Sequence, residues 1–147
     1  MSTPAAPRPS LVNRLRMRIG DPVVKWLVHR RPSSSTAILH TTRKDGSPRT
    51  TAVIGFARGE ERFVVALYGL SWWARDLRSG RPAELELGGA RRSVTATELT
   101  GDEGVAFWRW FAAEHASYAQ RYAKASPVPD EAELRNLADT FPAFRLD

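Results

Sequence analysis

The dipeptide Asp45-Gly46 lies between two runs of β-branched and apolar residues, at positions 36–43 and 48–58. Asp-Gly flanked by such runs is a strong short-range signal for a tight hairpin turn. Pro48 opens the second run, where a residue without a backbone N–H removes no ladder hydrogen bond. The sequence therefore predicts an antiparallel β-hairpin with its turn at residues 44–47.

Turn residues and alternating patterns divide much of the remaining chain into further short strands. Gly59 begins a second turn and Gly88-Gly89 forms a third. Four more strands are predicted from the apolar alternation between these turns and in the terminal tail: residues 62–68, 83–87, 91–99 and 141–146. Short connections join antiparallel strands. We therefore predict an α+β fold with a small, mostly antiparallel, closed or split β-barrel.

Helix signals occur at three places after the third strand. Residues 71–79 are predicted to form a short helix that carries two tryptophans. Thr100 and Glu103 have the spacing of a capping box and begin a long helix, which Pro127 ends. Asp130 and Glu133 repeat the signal before a last short helix.

Ring-bearing side chains recur along the predicted long helix in steps of three and four residues. This spacing places five of them on one helix face: Trp108, Phe111, His115, Tyr118 and Tyr122. For Trp108 and Phe111 the pattern favours packing against the sheet. Tyr118 and Tyr122 have two interpretations, because their hydroxyls could also donate a proton or anchor a carbonyl.

The positive charge of the chain is concentrated in its first 31 residues. Residues 1–31 contain seven Lys or Arg and one Asp, whereas residues 32–147 have no net charge. Residues 1–31 are predicted to be a flexible tail and a basic amphipathic helical arm, which either covers one end of the core, docks on an anionic membrane surface or covers an anionic ligand. Because the remainder is neutral, we expect no nucleic-acid partner.

Several classes of site and location are not expected from this sequence. The chain has no cysteine, phosphate loop, dinucleotide fingerprint or zinc-protease motif. His29, His40 and His115 lack ligand spacing, so we expect no metal site. No apolar run approaches the roughly 18 residues of a spanning helix, and the N-terminus lacks a signal-peptide pattern. A cytoplasmic protein is predicted.

The predicted hairpin is the first candidate binding site. It brings together hydroxyl groups and cations that suit a phosphate: Thr41, Thr42, Arg43, Lys44 and Arg49. The alternative interpretation is a solvated hairpin tip, where basic residues are common.

The segment that follows the third strand is the second candidate site. Gly69 permits close approach of backbone to a ligand, and Trp73 and Leu77 share a helical face. A paired tryptophan at a strand exit must cover a surface, which is either a flat aromatic ligand or the end of the barrel itself.

Several motifs, in order, resemble those of the deazaflavin-dependent nitroreductase family. The resemblance covers residues 36–147 and rests on five stretches: T-T-R-K-D-G-x-P-R-T-T from Thr41, F-V-V-A-L-Y-G followed by S-W-W-A-R-D-L-R-S-G from Phe63, G-G-x-R-R from Gly88, T-G-D-E from Thr100, and the terminal F-P-A-F-R-L-D. It implies an FMN-binding-like split β-barrel in residues 32–147, with an N-terminal amphipathic helix and a long helix in the C-terminal half.

The resemblance implies a function and a set of site residues. Hydride would pass between the reduced deazaflavin coenzyme F420 and a quinone, nitro compound or enone. Arg43, Lys44 and Arg49 would hold the phosphate and acidic tail of the cofactor. Four residues would line its ring: Gly69, Trp73, Asp76 and Leu77. Tyr118 and Tyr122 would face the substrate.

Departures from the family pattern keep two alternatives open. The hairpin ends Lys-Asp-Gly, as in relatives of the pyridoxamine-phosphate oxidases, so FMN is the alternative cofactor. Asp76 stands where an asparagine is usual and places a carboxylate beside the ring. The other alternative is a non-catalytic ligand carrier or membrane-attached binding module that depends on the basic arm. Barrels of this kind often pair, which allows a homodimer.

Overall fold

Seven strands and four helices form residues 34–147, the part of the chain that the computed structural model describes. The strands are β1 (Ser34–Thr42), β2 (Pro48–Arg58), β3 (Glu61–Val65), β4 (Ala83–Leu87), β5 (Ala90–Val94), β6 (Ala96–Glu98) and β7 (Ala143–Leu146). The helices are α1 (Trp72–Arg78), α2 (Gly101–Glu114), α3 (Ala116–Ala123) and α4 (Glu131–Thr140). The predicted N-terminal arm, residues 1–31, lies outside the described residues.

The strands form one antiparallel sheet in the order β5-β4-β1-β2-β3-β7-β6. Only Thr95 separates β5 from β6, and its backbone exchanges two hydrogen bonds with Asp147, at 2.8 and 2.9 Å. One chain segment therefore pairs with β4 at one sheet edge and with β7 at the other, which curls the sheet into a half-barrel. The predicted α+β class with a mostly antiparallel sheet is confirmed, and the predicted barrel is a curled half-barrel.

The predicted hairpin is confirmed at the β1–β2 connection. Thr42 pairs with Pro48, and the Arg43 N–H donates to the Ser47 carbonyl at 2.8 Å. Gly46 has a φ of +90°, a conformation that glycine adopts without strain. The local signal in the sequence was sufficient because the turn is closed by its own residues.

Two predicted strands have different bounds in the structure. The third strand, predicted at residues 62–68, ends at Val65, because the chain then turns and the Gly69 N–H donates to the Ala66 carbonyl at 3.0 Å. The strand predicted at residues 91–99 is divided at Thr95, where the chain changes its pairing partner from β4 to β7. The first correction comes from a local turn, and the second comes from a change of pairing partner that no local pattern encodes.

The single long helix predicted after Thr100 is wrong, because His115 divides it into α2 and α3. His115 has φ −125° and ψ 47°, outside the helical region, and its ring lies 4.8 Å from the ring of Phe56. Thr100 precedes α2 as predicted but its side chain makes no capping hydrogen bond, so the capping box is not formed. The second predicted cap is confirmed, since Asp130 accepts from the Glu133 N–H at 2.8 Å.

Two apolar clusters fill the space on either side of the curled sheet. One packs α2, α3 and α4 against the sheet and includes Trp108 and Phe111, both fully buried, which confirms their predicted core role. The other lies under α1 and includes Leu39, Leu77 and Phe144. Burial of such large side chains stabilises the fold by about 2 kcal/mol each.

Candidate functional site

A cavity opens where strands β2 and β3 separate. Strand β2 pairs with β1 along residues 48–56, but its pairing with β3 begins only at Gly55. Beyond Val65 the chain turns away from β2, so the first half of β2 has no strand on that side within residues 34–147. The gap forms a cavity of about 350 Å³ between residues 51–54 on one side and residues 65–68 on the other.

The cavity walls are mostly aliphatic and aromatic, with few polar groups. Ile54 and Phe56 line it from the sheet, Trp73 from α1 and Tyr122 from α3. Ser71 supplies a buried hydroxyl oxygen that has no hydrogen-bond partner in the described part of the chain. Ligand cavities of 300–1,000 Å³ are commonly built in this way, with a few polar groups that orient a largely apolar ligand.

Three tyrosines form an aromatic group at one side of the cavity. Tyr118 stacks on Tyr122 with ring centroids 6.2 Å apart and touches Phe56 edge-on at 5.2 Å. Tyr68 is 87% exposed and meets Tyr122 edge-on at 5.9 Å. Tyr122 therefore lines the cavity itself, while Tyr118 supports its ring from behind. The break at His115 allows this arrangement, because it gives α3 a direction of its own.

The hairpin tip presents two cations to solvent. Arg43 and Lys44 are exposed, and neither side chain has an ion-pair or hydrogen-bond partner among residues 34–147. Asp45 is held by Ser47, whose hydroxyl and backbone N–H both donate to its carboxylate, and these hydrogen bonds lower the pKa of Asp45. A carboxylate held within the turn leaves the two neighbouring cations available for an anion.

Asp76 is a buried carboxylate that joins three segments of the fold. It is 3% exposed, and its Oδ2 accepts from the Thr41 hydroxyl and from the Arg49 Nε, each at 2.7 Å. Its Oδ1 accepts from a terminal nitrogen of Arg81 at 3.3 Å, and the Arg81 Nε donates to the Thr42 carbonyl at 2.8 Å. A buried carboxylate needs such charged and hydroxyl donors to offset its desolvation.

Trp72 lies beside this network and is 67% exposed. Its ring is contacted by two guanidinium groups, with the carbon of Arg49 5.8 Å and that of Arg75 5.3 Å from the ring centroid. Asp76 is one helical turn further along α1, on the same face as Trp72. Arg49 is therefore held through its Nε, and its guanidinium also contacts the ring of Trp72.

The structure brings five of the eleven residues that the sequence selected into two neighbouring groups. Thr41, Arg49 and Asp76 are in direct contact, and Trp73 and Tyr122 share the cavity. Alternate residues of a strand share a face, and two residues span about 7 Å, so Arg49 lies close to the cavity residue Thr51 on β2.

Nine of the eleven selected residues lie outside the cavity wall, and Gly69, Asp76 and Leu77, which were expected to line the ring, are among them. Leu77 is buried in the core under α1. Gly69 has a φ of +87° and closes the turn after Ala66, with open space where a side chain would begin. The Thr42 hydroxyl donates to the Pro82 carbonyl at 2.8 Å.

Ser71, Tyr68 and Arg81 are among the residues of this region that were not selected from the sequence. Ser71 and Tyr68 line the cavity, and Arg81 completes the shell around Asp76. The position of Ser71, between a turn and a pair of tryptophans, was the available signal for it. Arg81 is only five residues from Asp76, but Arg75 and Arg78 are nearer in the sequence, and only the fold shows that Arg81 is the one bound to the carboxylate.

Residues 34–147 contain neither a metal-binding cluster nor a membrane-spanning helix. No three His, Asp or Glu side chains in this range group in a way that could hold a metal ion. In the same range, no helix combines the length and apolar character needed to cross a membrane.

The fold is that of a split-barrel protein with a cavity between two separated strands. The model of the F420H(2)-dependent quinone reductase family matches residues 14–129, most of the chain. The chain belongs to this family, which confirms the resemblance found in its sequence. No functionally curated protein matches it.

Solved structures support the fold alone. The chain is similar to the protein Atu2129, of unknown function, from Agrobacterium tumefaciens str. C58, with 21% identity and a TM-score of 0.58 over 99% of this chain; it spans 56% of that protein. General Stress Protein 26 from Bacillus anthracis str. Sterne shares 12% identity and a TM-score of 0.56, covering 84% of this chain and 88% of that one. The conserved hypothetical protein Rv2991 from Mycobacterium tuberculosis shares 16% identity and a TM-score of 0.50, covering 85% and 78%.

Proposed function

We propose that this protein is an F420H2-dependent reductase that transfers a hydride to an electron-poor substrate such as a quinone, a nitro compound or an enone. One observation carries the proposal: in a chain of this family, an apolar cavity with aromatic walls lies next to a hairpin that presents free cations. A flat ring attached to an anionic tail needs both features side by side.

The residues present suit such a cofactor. Trp73 offers an aromatic wall for the ring, and the unpartnered Ser71 hydroxyl offers a hydrogen bond to a polar atom at the ring edge. Arg43, Lys44 and Arg49 would hold the phosphate and the acidic tail. Guanidinium groups suit this role because they can donate two parallel hydrogen bonds to one phosphate.

When bound, reduced F420 supplies a hydride, which is two electrons with one proton, and is itself oxidised. The protein must then supply the second proton at the substrate. Tyr122 is the group proposed for this step, because its hydroxyl has no hydrogen-bond partner among residues 34–147 and its ring lines the cavity. Its proton would go to the reduced oxygen or carbon of the substrate and be replaced from solvent. Tyr118 would keep the Tyr122 ring in place.

Cofactor binding is tested by titrating the full chain with oxidised F420 and, separately, with FMN, while following intrinsic tryptophan fluorescence. Trp73 and Trp72 lie at and beside the cavity and should be quenched when a ring binds. We expect micromolar quenching by F420 and none by FMN. Quenching by FMN alone would refute the F420 proposal in favour of an FMN protein, and silence toward both cofactors would refute it in favour of a ligand carrier.

Catalysis is tested with the variant Tyr122→Phe. It removes one hydroxyl while retaining the ring that stacks on Tyr118, so the F420 affinity should be unchanged. The rate of quinone reduction should fall by about 100-fold, the usual contribution of a positioned proton donor. Tyr68→Phe is the matched control, since that exposed hydroxyl has no proposed role. Equal rates for Tyr122→Phe and the wild type would exclude Tyr122 as the donor.

A further inference from the structure

The Asp76 network adds a second arginine, Arg81, to the positive charge that Arg49 supplies at the hairpin. Two arginines, Arg49 and Arg81, are bound to opposite oxygens of one carboxylate. Their side chains retain 21% and 30% exposure, whereas the Asp76 side chain retains 4%. The carboxylate is therefore enclosed, while both guanidinium groups still reach solvent. The network keeps a net charge of +1.

The hydrogen bonds that hold Arg49 leave its outer edge open. Its Nε donates to Asp76, and its guanidinium carbon lies over the Trp72 ring. Within residues 34–147 its two terminal nitrogens have no hydrogen-bond partner. These nitrogens form the side of a guanidinium that pairs with phosphate or carboxylate oxygens. Arg49 is thus fixed at one end and free to bind at the other.

Arg81 is restrained in a comparable way. Its Nε is bound to the Thr42 carbonyl at the end of β1, and one terminal nitrogen is bound to Asp76. Its other terminal nitrogen has no partner among residues 34–147. A flexible arginine side chain carries about 2 kcal/mol of rotamer entropy. Restraining both arginines before binding reduces the entropy that an anion would otherwise have to overcome.

We infer that Asp76 is a positioning residue that organises Arg49 and Arg81 into one receptor for a phosphate or carboxylate group. The inference rests on the proposed function in one respect, the binding of an anionic ligand at this end of the barrel. It adds Arg81 to the anion site and gives Asp76 a role through the two arginines. Asp76 then strengthens anion binding in spite of its negative charge. The gain from holding Arg49 and Arg81 in place is larger than the repulsion between Asp76 and the bound anion.

The variant Asp76→Asn separates these two effects. An amide can accept a hydrogen bond but has no charge to hold two guanidinium groups. Removal of the negative charge alone should raise the affinity for an anion. Loss of the positions of the two arginines should lower that affinity. We expect about a tenfold weaker affinity for inorganic phosphate, the equivalent of one hydrogen bond to a charged group.

The measurement is a phosphate titration of the full chain, followed by NMR at the Arg49 Nε–H. In the wild type this proton should be protected from exchange and should shift as phosphate binds. In Asp76→Asn it should be broadened by exchange with water. Glu131→Gln is the matched control, because it removes the same charge from an exposed pair with Arg109. Its phosphate affinity should equal that of the wild type.

A second variant covers the case in which Asp76→Asn does not fold. Arg81→Lys keeps the charge at a partly exposed position, but an ammonium cannot reproduce the fork that joins Thr42 and Asp76. It should also weaken phosphate binding. Tighter binding by either variant, or a wild-type Arg49 signal that ignores phosphate, would overturn the inference. Because the probe is free phosphate, this experiment tests the role of Asp76 separately from the proposed function, which the F420 titration tests.

Discussion

Protonation of His115 should make the stability of the fold sensitive to acid. The ring of His115 is 6% exposed, and its Nε2 has no hydrogen-bond partner in the described part of the chain. It packs against the rings of Phe56 at 4.8 Å, Trp110 at 5.2 Å and Phe111 at 5.4 Å. Burial lowers the pKa of His115, and the nearby charge of Glu114 opposes this only in part.

The sign of the effect follows from which state binds the proton. Below about pH 6.5 the imidazole of the unfolded chain becomes protonated, whereas the folded imidazole stays neutral. The free energy of unfolding therefore falls as the pH falls below 6.5, by at most about 1.4 kcal/mol per pH unit, until the lowered pKa is reached. Above pH 6.5 both states are neutral and this contribution is constant.

The variant His115→Phe removes the titrating group and keeps a ring in the aromatic cluster. It also removes the orphaned Nε2, whose burial costs about 1 kcal/mol, so the variant should be at least as stable as the wild type at pH 7.5. Urea denaturation from pH 7.5 to pH 5.0 measures both proteins under the same conditions. Other titrating groups cancel in the difference between the two free energies of unfolding.

The difference should be constant above pH 6.5 and should increase in favour of the variant below it. His40→Gln is a suitable control, because it leaves His115 in place and should keep its acid sensitivity. Parallel stability curves for His115→Phe and the wild type would refute the reasoning, since they would mean that the buried imidazole does not resist protonation.

Three further predictions concern the hairpin and the helix ends. The double variant Arg43→Ala and Lys44→Ala should keep the melting temperature of the wild type, because both cations are exposed and unpaired. It should bind F420 about tenfold more weakly. Calorimetry measures the melting temperature, and fluorescence titration measures the F420 affinity. Asp130→Ala should cost about 1 kcal/mol in urea denaturation and Thr100→Ala clearly less, because only Asp130 makes a capping hydrogen bond. Gly46→Ala should cost about 1 kcal/mol through its positive φ, with no steric contribution.

Local signals in the sequence were sufficient for the hairpin and for much of the core. Asp45-Gly46 specified a turn that is closed by hydrogen bonds within five residues, so no distant contact was needed. The spacing of Trp108 and Phe111 specified a buried face in the same way. The order of the motifs identified the family because the motifs are spread along the whole domain. The family model matches residues 14–129.

The same helical spacing could not distinguish a core residue from a residue of the cavity. Phe111 and Tyr122 belong to one predicted stripe, but the chain leaves the helical conformation at His115 between them. His115 is an ordinary residue inside a helical pattern, and it interrupts the helix because its ring packs beside Phe56 on strand β2. That contact joins residues that are distant in the sequence, so periodicity alone predicted one continuous helix.

The role of Asp76 required the order of the strands. Strand β1 pairs with β2 on one side and with β4 on the other, so residues at the end of β1 meet the beginnings of both neighbours. Thr41 on β1, Arg49 on β2 and Arg81 just before β4 converge there, although they are up to 40 residues apart. A carboxylate on the helix that crosses this end of the sheet then becomes their common partner. In the sequence, Asp76 is one acid among neighbouring arginines, whereas in the fold it is the acid that the distant Arg49 shares with the nearby Arg81.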